Sequence, residues 1–233
     1  MYFEESGLYH VFNRGNNSER VFFSDKNYLY FLEKLKYYVY PYADIIAYCL
    51  MPNHFHLMIY VNFVRLEVKT IVDGSNHRIL GVNTDSFAQT ENNSTKKGDT
   101  LLRKPESQGQ CLKFRTINDS IGIMLRSYTS AIQKQENRRG SLFQKETQSI
   151  QLNGNDKLSP AYFNNSFYTQ INIPIPEKEY PQVCFNYIHL NPVNAHLTKE
   201  EKGWSYSSYR EYAGIAKEKL INRERSIELG LKW

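Results

Sequence analysis

Residues 44–61, DIIAYCLMPNHFHLMIYV, hold two apolar runs broken only by Pro52-Asn53. Pro and Asn are turn formers, and runs of this length on either side of a tight turn read as two antiparallel strands, Asp44 to Met51 and His54 to Val61. On a strand, residues i and i+2 project from one face, with their Cβ atoms roughly 7 Å apart. His54 and His56 therefore point the same way, while Phe55 and Leu57 point into a core. Two imidazoles so placed can converge on a divalent cation, since histidine is the commonest metal ligand. The same pattern also fits two polar residues on a solvated sheet face, and the pair by itself does not choose between them.

Outward from the hairpin, Leu8 to Phe12 reads as a first strand, closed by the turn material Asn13 to Asn17. Ser24-Asp25 can cap a helix running to about Tyr40, with Phe31, Leu32, Leu35, Tyr38 and Val39 at helical spacing and Pro41 as its stop. Asp119 or Ser120 opens a second helix to about Asn137, with Ile121, Leu125, Tyr128 and Ile132 on one face and Gly140 after it. Ser141 to Gln151 reads as a fourth strand. Gln182 to Asn191 reads as a short helix ended by Pro192. The first six elements follow the β-α-β-β-α-β ferredoxin-like order. The fold expected is α+β, an antiparallel sheet with helices on one face and the other face open for a site.

Between about 62 and 117 the chain turns polar, rich in Gly, Ser, Asn, Thr and Lys, and 152–177 is again loop-like. Both read as flexible insertions within a single domain covering 1–233, and loops this long are usually functional or disordered. A C-terminal extension starts at about 197.

The formal net charge is +5 and 18 residues are tyrosine. The charge leans toward a polyanionic partner. Three cysteines, Cys49, Cys111 and Cys184, make no C-x-x-C pair and suggest neither a disulfide framework nor a zinc knuckle. No stretch approaches a membrane span, and Met1 to Glu5 carry no signal-peptide character. The expectation is a reduced, cytoplasmic, nucleoid-associated protein with no membrane partner.

Tyr187 and Asn191 stand i and i+4 on the last helix, hence on one face. A tyrosine hydroxyl can act as a nucleophile, although its reference pKa is about 10 and its proton must be taken up. An amide oxygen beside two imidazoles suits a hard divalent ion such as Mg²⁺ or Mn²⁺.

At these residues the chain resembles the REP-associated tyrosine transposases, relatives of the IS200/IS605 transposases in the HUH single-strand nuclease superfamily. The resemblance is carried by Tyr9 to Asn16, by Met51 to Met58 with its histidine-hydrophobic-histidine motif, by Gly140 to Gln144, by Tyr187 to Val193, and by Trp204 to Tyr209. These motifs fall in family order and cover both ends of the chain; the two polar insertions have no family counterpart.

The resemblance implies that His54 and His56 bind the divalent ion, with Asn191 at the third ligand position, where relatives carry glutamine. It implies that Tyr187 attacks a phosphodiester of single-stranded or hairpin DNA, of the inverted-repeat type, leaving a 5′-phosphotyrosyl link and a 3′-hydroxyl. Arg14, Arg126, Arg138, Arg139, Lys96, Lys97, Arg103 and Lys104 are candidates for holding backbone phosphates. Relatives include monomers and dimers with shared sites, so a homodimer belongs to the expectation. Two rival readings are a catalytically silent relative that binds DNA hairpins and, more remotely, a metal-independent histidine-triad nucleotide phosphoesterase. The latter needs a further histidine where this chain has Met58, and it leaves Tyr187 and Asn191 unexplained.

Overall fold

The computed structural model describes residues 1–72, 78–82, 113–154, 179–216 and 219–233. In chain order its strands and α-helices are β1 (Leu8–Arg14), α1 (Asp25–Tyr38), β2 (Ala43–Met51), β3 (His54–Val61), β4 (Arg65–Val72), β5 (Arg78–Val82), β6 (Lys113–Thr116), α2 (Ile117–Gln135), β7 (Gln148–Gln151), α3 (Tyr180–Asn194), α4 (Tyr209–Tyr212) and α5 (Arg223–Glu228). They form two units, one of Met1–Val64 with Ile117–Trp233 and one of Arg65–Thr116.

In the first unit the strands lie in the order β2-β3-β1-β7, each neighbouring pair antiparallel. With α1 between β1 and β2 and α2 before β7, this is the ferredoxin-like arrangement, and the fold class is α+β. The hairpin turns on Pro52-Asn53 alone, with Met51 paired to His54. That turn is pinned from outside: Val21 N–H donates to the Pro52 carbonyl, and Gly15 N–H donates to the Asn53 carbonyl.

One face of the sheet packs on α1 and α2. Phe31 and Leu35 of α1 and Ile121, Tyr128 and Ile132 of α2 are buried, at the positions their helical spacing indicates. The Phe31 ring lies 5.1 Å from that of Phe55 and meets Tyr128 edge-on at 5.1 Å. Each such burial contributes about 1.5–3 kcal/mol. Asn27 fixes the start of α1: its Oδ1 accepts from the Phe23 and Ser24 backbone N–H groups, and its Nδ2 donates to Gln135 at the end of α2.

The opposite face, expected to stand open, is covered. Leu8, Ala47, Cys49, Met51 and Met58 of the sheet pack against Cys184, Phe185, Tyr187 and Ile188 of α3 and against Tyr212 and Leu231 of the C-terminal segment. That segment also closes the free edge of β2. Leu50 N–H donates to the Tyr206 carbonyl, Ser208 N–H to the Tyr48 carbonyl and Asn222 N–H to the Ile45 carbonyl. Trp204 Nε1 donates to the Leu50 carbonyl and Tyr212 Oη to the Ile46 carbonyl. The Ile45 and Ile46 carbonyls sit where the register of β2 with β3 shifts. An edge that would otherwise template another strand is thereby satisfied within the chain.

Two boundaries differ from expectation. Residues 141–151, expected as one strand, form β7 and an isolated bridge between Phe143 and Gly15. Between them the Asn13 amide donates to the Gln144 carbonyl and to Thr147 Oγ1, so a side chain replaces the ladder there. The last helix, expected to stop at Pro192, runs through it to Asn194. A proline removes its own N–H and crowds the carbonyl four residues back, yet the helix continues past it, closed by Ala195 N–H to the Asn191 carbonyl and Leu197 N–H to the Pro192 carbonyl.

In the second unit β4 lies between β5 and β6, antiparallel to both. The Arg65 guanidinium stacks 4.3 Å over the Phe114 ring. These strands fall where the sequence suggested only loop. Of the second insertion, residues 155–178 lie outside the described residues. Among the described residues no helix is long and apolar enough to cross a membrane.

Candidate functional site

The β1–β3 register sets Arg14 opposite His54, Phe12 opposite His56 and His10 opposite Met58. Directly opposed residues share a face, so His10, Phe12, Arg14, His54 and His56 all stand on the α3 side of the sheet. The His54 and His56 ring centroids are 5.0 Å apart. α3 buries Cys184, Phe185 and Ile188 against β2 and its neighbours, which turns Tyr187 toward the histidines. The Tyr187 ring meets that of His56 edge-on at 5.3 Å and that of His10 at 6.2 Å. One turn later Asn191 stands on the same face of α3, and its amide favours the protonated form of His54. Tyr187 and Asn191 are each 8% exposed, so this cluster is a buried one.

Burial governs the charge state. Desolvation pushes His54 down to about 4; the Arg14 charge adds to this and the Asn191 amide opposes it. His56 is held well below its ordinary value, first by burial and then by His54 and His10. His10 is lowered by burial to about 3. All three rings are neutral near pH 7 and present lone pairs.

For His54 the tautomer follows from its neighbours. Asn53 Nδ2 donates to the Ser18 carbonyl, so Asn53 Oδ1 is the atom facing His54 Nδ1, 2.6 Å away. An amide oxygen only accepts, so the His54 proton sits on Nδ1 and its lone pair on Nε2. Metal-binding histidines are commonly oriented by such an acceptor on the other ring nitrogen.

Among the described residues no three His, Cys, Asp or Glu side chains form a metal-ligand cluster. The donor set present is instead an open one, two neutral imidazoles and an amide. The Asn191 Nδ2 is buried with no hydrogen-bond partner among the described residues. Side-chain amides present nitrogen or oxygen by a simple turn, so this position accommodates an oxygen donor. Such a set fits a hard divalent ion that keeps water or substrate oxygens as its remaining ligands.

The basic candidates scatter. Arg14 belongs to the cluster. Arg126 lies on the other side of the sheet, in a cleft of about 430 Å³ with Lys145, Thr129, Gln133 and Thr147. Arg138 is paired with Glu19 and lies 5.9 Å over Phe23, and Arg139 is exposed. Lys96, Lys97, Arg103 and Lys104 lie outside the described residues.

His10 and Asn53 escaped the sequence reading. The signal for His10 was its alternation with Phe12 and Arg14 on the first strand, which gains meaning only once β1 is known to pair with β3. His189, two residues past Tyr187, takes no part: it is buried against Phe185 and hydrogen-bonded to Ser208.

No family model matches the sequence, and no curated protein matches it. A solved structure described as a REP-associated tyrosine transposase bound to a REP hairpin is similar to this chain over 96% of its length and 95% of that chain, at 11% identity and a TM-score of 0.48.

Proposed function

We propose that this chain is a tyrosine nuclease and strand transferase acting on single-stranded or hairpin DNA, with Mg²⁺ or Mn²⁺ held by His54, His56 and Asn191. The observation that carries this reading is the meeting of Tyr187 with His56, ring to ring at 5.3 Å, from elements far apart in the chain. The motif resemblance at the same residues gives the chemistry its direction.

In this reading Tyr187 Oη attacks the phosphorus of a phosphodiester. The P–Oη bond forms as the P–O3′ bond breaks, leaving the phosphate on tyrosine and a hydroxyl on the departing 3′ end. The phosphodiester energy is conserved in the link, so strand transfer to a new 3′-hydroxyl requires no nucleotide cofactor. A bound divalent ion supplies Lewis-acid polarisation of the scissile phosphate. The chain's own residues orient the reaction: α3 packs Tyr187 against His56, and the Arg14 guanidinium beside His54 adds positive charge where a phosphate would enter. Tyr187 and both histidines meet within a single chain, which supports an arrangement in cis.

The test uses the full chain, end-labelled hairpin DNA and Mn²⁺, with denaturing electrophoresis to retain covalent adducts. A shifted adduct that disappears in Tyr187→Phe is expected. Hairpin binding with no adduct in the wild type refutes the enzyme and leaves a DNA-binding protein.

A further inference from the structure

We propose that His10 is a positioning residue for His56, fixing the tautomer in which His56 Nε2 presents its lone pair to the cation; this rests on the metal reading above. His10 Nε2 lies 2.9 Å from His56 Nδ1. The ring centroids lie 5.1 Å apart with 26° between the planes, the spacing of an edge-to-edge hydrogen bond, and the rings are 2% and 1% exposed. His10 is wedged beside Phe12 at 4.7 Å and Tyr187 at 6.2 Å, which holds its ring in this orientation.

A buried imidazole costs free energy unless it is hydrogen-bonded. The Nδ1 of His10 has no hydrogen-bond partner among the described residues, so its bond to His56 is the contact that gives a polar ring a purpose at this position. A role in packing alone is served by apolar residues, as at Leu8 and Val11 of the same strand. The shared bond holds a single proton. When that proton is His56 Nδ1–H, donated to His10 Nε2, the His56 lone pair lies on Nε2, on the edge away from His10. When it is His10 Nε2–H, His56 carries its proton on Nε2 and cannot bind a cation there. His54 has a fixed acceptor for Nδ1–H in Asn53, and His10 supplies the corresponding acceptor for His56. Each of the two imidazoles in the HxH pair then has its own orienting partner.

The experiment combines two measurements on the full chain. In ¹⁵N-histidine-labelled protein without added metal, long-range ¹⁵N–¹H spectra report which nitrogen of His56 carries the proton. Mn²⁺ binding is followed by the electron paramagnetic resonance signal of the free ion, in wild type, His10→Leu, His10→Gln and His54→Ala, each checked for folding by circular dichroism. The expected result is a protonated His56 Nδ1 and a Mn²⁺ affinity weakened about 10–100-fold in His10→Leu. His10→Gln, whose amide oxygen can accept the same proton, recovers most of that loss. An Nε2-protonated His56 in the wild type overturns the proposal, as does His10→Leu binding Mn²⁺ like wild type while His54→Ala does not. If His54→Ala binds like wild type, it is the metal reading that fails, and the spectra still decide the role of His10.

Discussion

Acidification should destabilise this fold steeply, because burial keeps four of its histidines neutral. His10 and His189 are held by burial at about 3, and His54 at about 4; His56 is shifted the same way. In the unfolded chain each returns to an ordinary value near 6.5. Below pH 6.5 the unfolded state therefore binds more protons than the folded one, and stability falls as pH falls. For His10 and His189 the window runs from about 6.5 to about 3, and for His54 from about 6.5 to about 4. At about 1.36 kcal/mol per pH unit per group, each histidine removes roughly 2 kcal/mol by pH 5. His10, His54 and His189 together approach about 6 kcal/mol, with His56 acting in the same direction, against a total of about 5–15 kcal/mol for a typical domain.

Urea unfolding followed by the fluorescence of Trp204 and Trp233 at pH 7.5, 6.5, 5.5 and 5.0 measures the effect. The midpoint should drop progressively below pH 6.5, with little change between 7.5 and 6.5. In His189→Asn the slope should fall by about one histidine's share, because the remaining rings are unchanged. A total loss under roughly 2 kcal/mol between pH 7 and pH 5, less than the share of a single buried ring, would refute the reasoning that these histidines are kept neutral by burial.

Two further substitutions test how the cluster is held. In Gly15→Ala the new Cβ would stand 2.0 Å from the Glu19 carbonyl oxygen, a backbone atom. A shift of that segment should cost about 1–3 kcal/mol and, because Gly15 N–H donates to Asn53, weaken Mn²⁺ binding through the Asn53–His54 contact; an unchanged urea midpoint argues against this. Tyr212→Phe removes a hydroxyl bonded to the Ile46 carbonyl and Ser226 Oγ. Leaving that carbonyl at the β2 irregularity without its partner should cost about 1–3 kcal/mol while Tyr187 adduct formation survives; a loss of only a few tenths shows that the tail is not needed to close this edge.

Much of the fold was legible because its signals are local. The apolar runs of Asp44 to Val61, broken at Pro52-Asn53, specify two strands, and helical spacing in Phe31 to Val39 and in Ile121 to Ile132 each specifies a helix, within a few residues. The strands of the second unit were missed because their apolar residues, such as Leu66 and Val68, alternate with Arg65, Glu67 and Lys69 inside a stretch whose neighbours are polar. The break in the fourth strand depends on Asn13, more than a hundred residues earlier in the chain, a contact that no local pattern encodes. The same limit applies to the site. His54 with His56, and Tyr187 with Asn191, are each a local spacing; that they face one another is a property of how α3 packs. The role of His10 depends on the register of β1 against β3, which a strand read alone does not contain.

The acid lability and the proposed chemistry have a common physical origin. An imidazole exposed to water near its ordinary value is protonated part of the time and is then no Lewis base. Removing water from around His10, His54 and His56 lowers their proton affinity, so at neutral pH every lone pair not engaged with a neighbour is available for a cation. The cost of that arrangement falls due only when the pH drops and the unfolded chain can protonate what the fold cannot. A substitution that opened the cluster to water, by removing the Tyr187 ring or the Phe12 ring beside it, should therefore raise the histidine values toward 6.5, flatten the acid limb of the stability curve, and weaken cation binding at pH 6 more than at pH 8. If the ring substitutions weakened binding equally at both pH values, desolvation would be excluded as what keeps these imidazoles neutral and open to a cation, and direct contacts alone would have to account for the loss.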